Sequence, residues 1–228
     1  MTGLLISVRD RDEAETVLSA CPDLDILDIK EPAAGALGAA TPQIWREIGA
    51  LTLNDTSLSI ALGDLNEVPF NQLANLPVNA RYAKVGLANQ QGILWIEEWR
   101  AIRVLIPEPT ELVGVIYADH RAGNAPSPVE IIQQLSPEGC KTFLIDTYEK
   151  NGAHLLDYLT YDQFQTLKSL APDAAFVIAG SLNEDTIPQA QEFQAEFMGV
   201  RGAICEGRRD GGVSAARSRQ IINLVKNS

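Results

Sequence analysis

The 228-residue sequence predicts an α/β fold, a single (β/α)8 TIM barrel spanning residues 1–228 as one domain. Three observations predict it. Eight short apolar runs recur along the chain, and longer amphipathic stretches separate them. No linker, low-complexity segment or structureless loop beyond about 15 residues breaks the alternation.

The runs are Leu4–Val8, Ile26–Ile29, Leu58–Leu62, Tyr82–Leu87, Leu112–Ala118, Thr142–Ile145, Phe176–Ala179 and Met198–Ile204. Each is too short for an ordinary helix and rich in Val, Ile, Leu or aromatic residues, as buried parallel strands are. Helix starts are marked between them. Thr41-Pro42, Ser127-Pro128 and Ser136-Pro137 place a hydroxyl cap before a proline suited to the first helical position. Thr160 lies three residues ahead of Gln163, the spacing of a capping box. Across Leu155–Leu170 an apolar stripe of Tyr158, Tyr161, Phe164, Leu167 and Leu170 predicts a helix. An open doubly wound sheet is the competing architecture, but no Gly-x-Gly-x-x-Gly follows the first run.

Composition narrows the function. A net charge of −12 repels phosphate backbones and anionic lipids, which disfavours nucleic-acid and membrane-surface partners. A small phosphorylated substrate stays compatible, because a local basic pocket overrides the average. No run approaches the roughly 20 apolar residues of a membrane span, and residues 1–9 lack a basic leader. Cys21, Cys140 and Cys205 are odd in number and scattered, which favours a reducing compartment over disulfides or zinc. A cytoplasmic location is the expectation. The oligomeric state stays open, homo-oligomer included.

Active sites of such barrels lie at the C-terminal ends of the strands. Those ends carry unusual charge here: Asp28 and Lys30, Lys84, Asp119-His120-Arg121, Asp146, and Arg201 with Gly202. Period-two alternation sets Asp28 and Lys30 in phase with Ile26, opposite Leu27 and Ile29, so both point into the barrel mouth. A structural ion pair explains one such lysine. Lys30, Lys84, Asp28 and Asp146 together favour chemistry.

A free lysine is neutral in only about one molecule in a few thousand at pH 7. Burial or a second cation raises that fraction and makes a nucleophilic amine. Lys84 suits the second cation and proton carrier, and Asp28 and Asp146 suit proton shuttling. The chemistry expected is a Schiff base followed by proton abstraction or carbon–carbon bond formation. Asp146 and Lys150 share a rim, with a solvated Lys150 as the alternative. Gly180-Ser181 and Arg201-Gly202 close the seventh and eighth runs, where barrels commonly hold phosphate on backbone amides. The loop Gly207–Gly212 on that rim reads as a lid or simply as solvated chain. His120 and His154 lie on different segments, so no metal site is expected.

These motifs resemble a known family. Asp28-Ile29-Lys30-Glu31-Pro32 with Gly35–Ala39, Lys84–Leu87, Asp119–Ala122, Leu144–Gly152 and Val200–Cys205 are similar, in order, to the (5-formylfuran-3-yl)methyl phosphate synthases of methanofuran biosynthesis. The resemblance implies a barrel condensing two glyceraldehyde 3-phosphates into a furan aldehyde phosphate, with loss of phosphate and water. It implies Lys30 as the Schiff-base residue and Lys84 as proton acceptor, assisted by Asp28, Asp146 and Lys150, without metal or organic cofactor. One departure is Asn151, where the family more often carries an acidic residue. Two other readings compete: a phosphosugar isomerase or epimerase on the same barrel, and a non-catalytic phosphometabolite-binding protein.

Overall fold

Eight parallel strands close into a barrel in the computed structural model, which describes residues 2–226. They are β1 (Gly3–Val8), β2 (Ile26–Ile29), β3 (Ser57–Asp64), β4 (Ala80–Gly86), β5 (Glu111–Tyr117), β6 (Thr142–Asp146), β7 (Ala175–Ile178) and β8 (Phe197–Val200). Each pairs with its sequence neighbour, and β8 returns to β1 through the register Ile6 with Val200. The helices are α1 (Arg11–Ala20), α2 (Pro42–Gly49), α3 (Ile96–Leu105), α4 (Pro128–Leu135), α5 (Tyr161–Leu170), α6 (Ile187–Gln191) and α7 (Ala215–Lys226). No helix of the described residues is long and apolar enough to cross a membrane.

Strand parity divides the core in two. Leu4, Ile6, Val8, Leu27 and Ile29 face outward and pack under the helices. Leu5, Ile26, Val113, Val115, Leu144 and Val177 fill the lumen. A strand buried on both faces needs apolar residues at every position, hence runs without a polar face. The lumen closes below the site, so the site has an apolar floor.

Thr41 and Ser127 accept backbone N–H groups and cap α2 and α4, each with proline in the first turn. Thr160 and Gln163 form the capping box of α5. Four details differ from the sequence expectation. Leu155–Leu170 is not one helix: residues 155–157 form a 3-10 turn, and α5 starts afresh after extended Thr160. Ser136 ends α4 instead of opening a helix, because the chain must turn at Gly139 (φ +79°) to enter β6. The connection after β3 uses 3-10 segments at 65–67 and 70–75, with Pro69 and Pro77 limiting helical growth. Lastly, β8 stops at Val200. Arg201 lies beyond it, and residues 202–204 form a 3-10 turn.

Candidate active site

The register of β1, β2 and β4 assembles the first cluster. Ser7 pairs with Asp28 across β1 and β2, and its hydroxyl donates to Asp28 Oδ2 at 2.8 Å. Lys84 Nζ reaches across from β4 to lie 2.6 Å from Asp28 Oδ1. That contact is an ion pair by distance but not an aligned hydrogen bond, since the same oxygen has no hydrogen-bond donor. Asp28 is fully buried and Lys84 is 4% exposed, so their charges depend on each other.

The second cluster lies across the mouth on β6. Asp146 Oδ1 accepts Lys150 Nζ at 2.8 Å and the Thr147 N–H at 2.7 Å. Lys150 also donates to Thr147 Oγ1 at 3.0 Å. Burial opposes ionisation of Asp146, but Lys150 and Lys30 outweigh it and hold the carboxyl below its ordinary range.

Lys30 stands between the clusters with no carboxylate of its own among the described residues. It follows β2, and its Nζ donates to the Ala36 carbonyl at 3.2 Å. Burial is the main cause that brings its ammonium down to about 7. Asp146 and Asp28 oppose the shift, while Lys150 and Lys84 reinforce it. At pH 7 about half the molecules carry a neutral amine there, against a trace for an ordinary lysine. A cavity of about 470 Å³ opens onto Lys30, Lys84, Asp146 and Lys150 together. Four of the five residues expected to act together thus line one mouth, and the fifth, Asp28, is buried in contact with Lys84.

The rim of β7 and β8 completes that cavity. Gly180 has φ +111°, and a Cβ there would lie 2.9 Å from Thr147 Cγ2, so only glycine suits this turn beside the Asp146 loop. Ser181 is exposed at φ +54°. Among the described residues, the N–H groups of Ser181, Leu182, Gly202 and Ala203 take no part in the turns' backbone hydrogen bonding. Such amides suit an anion. Arg201 is used otherwise than expected. Its five N–H groups meet both Glu13 carboxylate oxygens and the carbonyls of Ser7, Arg209 and Gly211. Its guanidinium is committed to the protein and is not offered to an anion at the neighbouring amides.

Sequence reasoning gave no role to three supporting residues, although it noted Asp119 at a strand end. Ser7 shares the inward parity of Leu5, a signal that was available. Asp119 accepts the N–H groups of Tyr148 at 2.6 Å and Glu149 at 2.9 Å, fixing the loop that carries Lys150. Glu13, on α1, has no local signal for meeting Arg201. Asp119→Ala removes two charge-assisted hydrogen bonds and is expected to cost about 1–3 kcal/mol. Chemical denaturation checks that loss, and the Lys150 loop should gain amide exchange before the barrel does.

A family model described as 4-HFC-P synthase matches residues 4–222. The (5-formylfuran-3-yl)methyl phosphate synthase of Methanopyrus kandleri is 31% identical over 98% of this chain and 97% of its own. The synthase of the same name from Methanothermobacter thermautotrophicus is 29% identical over 97% of this chain and 98% of its own. Among solved structures, phosphoribosyl anthranilate isomerase from Thermotoga maritima superposes with TM-score 0.69 at 14% identity, covering 100% of both chains. The 3-hexulose-6-phosphate synthase of Salmonella typhimurium gives TM-score 0.65 at 15% identity, covering 98% of this chain and 100% of its own. Those two likenesses extend to the barrel fold. The near full-length match to the synthases goes further: the chain belongs to the 4-HFC-P synthase family.

Proposed function

We propose that this protein makes (5-formylfuran-3-yl)methyl phosphate for methanofuran biosynthesis by condensing two molecules of glyceraldehyde 3-phosphate through a Schiff base on Lys30. The observation that carries the reading is Lys30 itself: a buried amine near neutrality, facing a cavity in which the other two lysines each hold a carboxylate. Family membership supplies the product. Two three-carbon units provide its six carbons, and one phosphate and two waters leave.

The neutral amine of Lys30 adds to the aldehyde carbon, and the carbinolamine loses water as Asp146 and Lys150 pass it a proton. The iminium acidifies the hydrogen on the adjacent carbon. The Lys84–Asp28 pair takes that proton, and the electron pair moves onto the Lys30 nitrogen as an enamine. Returning it expels phosphate or attacks the second aldehyde. Hydrolysis of the final imine frees Lys30. The free amides at the ends of β7 and β8 hold a substrate phosphate, with Arg201 and Glu13 fixing the β8 turn. The reaction fits the reducing interior of a cell, where Cys21 and Cys140, their thiols pushed up by burial to about 11 and about 12, stay inert.

Borohydride added with glyceraldehyde 3-phosphate should leave a covalent adduct on the Lys30 peptide, read by mass spectrometry, and turnover should raise a furan ultraviolet chromophore. An unmodified Lys30 peptide, or no chromophore, rejects the reading. The pH profile is a separate check. The free amine is the reactive form, so kcat/KM should rise about tenfold per pH unit below about 7 and level off above it. Stability follows the same sign. Between about 7 and the ordinary lysine value near 10.4 the unfolded chain binds this proton more tightly, so the Lys30 contribution to stability rises with pH across that window. Denaturation of wild type and Lys30→Met at pH 7 and pH 10 tests this: the variant should lose the rise.

A further inference from the structure

Three arginines line the cavity, and they differ in what they already hold. Arg201 has every N–H engaged by the protein. Arg217 is exposed on α7, where solvent and salt weaken its reach. Arg209 is half-buried, and among the described residues its side chain makes one hydrogen bond, from Nη2 to the Gly35 carbonyl at 3.2 Å. Its backbone is pinned, however. The Arg209 carbonyl accepts Arg201 Nε at 3.0 Å, the Asp210 carbonyl accepts Arg9 Nη1 at 2.8 Å, and Cys205 bridges Val213 at the loop's base.

A guanidinium with a single neutral acceptor is therefore held by a pinned loop at the mouth of the barrel. Its acceptor sits in a telling place: Gly35 offers its carbonyl to Arg209, and the next residue, Ala36, offers its own to Lys30 Nζ. One turn thus brings the Arg209 guanidinium and the Lys30 amine into the same neighbourhood. A Cβ on Gly202 would lie 3.6 Å from Arg209 Cβ, so the side chain starts beside Gly202 in the β8 turn.

We propose that Arg209 is the charged phosphate ligand of this site, exchanging its contact with the Gly35 carbonyl for the phosphate of the bound triose. The exchange is favourable because a neutral acceptor gives way to a dianion that the guanidinium fork meets in bidentate fashion. Burial, reinforced by Arg201 and opposed by Asp146, pushes the Arg209 guanidinium down, and an anion relieves that cost. Specificity follows. An aldehyde without phosphate leaves Arg209 on Gly35 and gains nothing from it.

The inference rests on the phosphorylated-aldehyde reading above, so its test separates phosphate binding from turnover. Binding of inorganic phosphate is measured by calorimetry for wild type, Arg209→Gln, Arg209→Lys and Arg208→Gln. Arg208 is exposed on the same loop, its side chain pairs with Asp210 and it does not line the cavity, which makes it a control for net charge. Arg209→Gln should weaken phosphate about tenfold or more and raise KM for glyceraldehyde 3-phosphate in parallel. Borohydride trapping on Lys30 should lose its preference for glyceraldehyde 3-phosphate over glyceraldehyde by a similar factor. Arg209→Lys should recover part of each loss, and Arg208→Gln should match wild type. The proposal is overturned if wild type binds no phosphate, if Arg209→Gln binds it as wild type does, or if Arg208→Gln loses as much. Weaker phosphate binding in Arg209→Gln without any turnover of glyceraldehyde 3-phosphate by wild type upholds the ligand and rejects the proposed reaction.

Discussion

Lys30→Ala and Lys30→Arg are both expected to lower turnover by about 10³-fold or more and to abolish the borohydride adduct, with the barrel still folded. The size of the effect follows from what would remain. Asp28 keeps Lys84 at 2.6 Å and Asp146 keeps Lys150 at 2.8 Å, so neither carboxylate loses its main counter-charge. What disappears is the amine near neutrality. Arginine restores the positive charge but not the nucleophile, because its guanidinium does not deprotonate in a protein. An isomerase or epimerase running on carboxylates would tolerate that replacement, which makes Lys30→Arg the sharper variant. Single-turnover kinetics with mass spectrometry reads both outcomes. A Lys30→Arg enzyme retaining more than a tenth of wild-type kcat excludes the Schiff base. Lys30→Met should also be more stable than wild type at pH 7, since a buried amine that resists protonation gives way to a side chain with no charge to desolvate.

Lys84→Met should have the largest effect on stability, a loss of about 3–5 kcal/mol, because it strands a carboxylate that no solvent reaches. Ser7 satisfies one oxygen of Asp28, and Lys84 alone answers the other. Adding Asp28→Asn removes the stranded charge, so the double variant should regain most of the stability without regaining activity. Urea denaturation of the four proteins of this cycle gives the coupling, and a double variant no more stable than Lys84→Met would mean that the pair is not coupled. Activity is expected to fall in every variant of the cycle, since the proposed mechanism gives Lys84 and Asp28 the proton taken from the iminium's neighbouring carbon.

Much of this site was legible before any fold was known. Parity alone set Asp28 and Lys30 on the inner face, and the ends of eight runs named Lys84, Asp146 and the β7–β8 turns. Local signals carried that information: a period of two, a hydroxyl before a proline, a glycine at a turn. Arg201 shows where local signals stop. It follows an apolar run and precedes a glycine, so it reads as a phosphate ligand on a strand. In the folded chain Glu13 lies against it from 188 residues away and takes both of its outer nitrogens, and the strand stops one residue before it. Arg209, in a stretch that reads as solvated loop, is the guanidinium left over.

By itself, then, the sequence determined the barrel, the inward face of each strand and the lysines at its mouth, because alternation and chain reversal are written in neighbouring residues. Only the tertiary structure decided which carboxylate each lysine meets, and hence which lysine stays free. Three amines and two buried carboxylates admit several pairings, and the interstrand register chooses among them. That choice leaves Lys30 with a carbonyl in place of a counter-ion, and burial without a counter-ion is what brings its amine to neutrality.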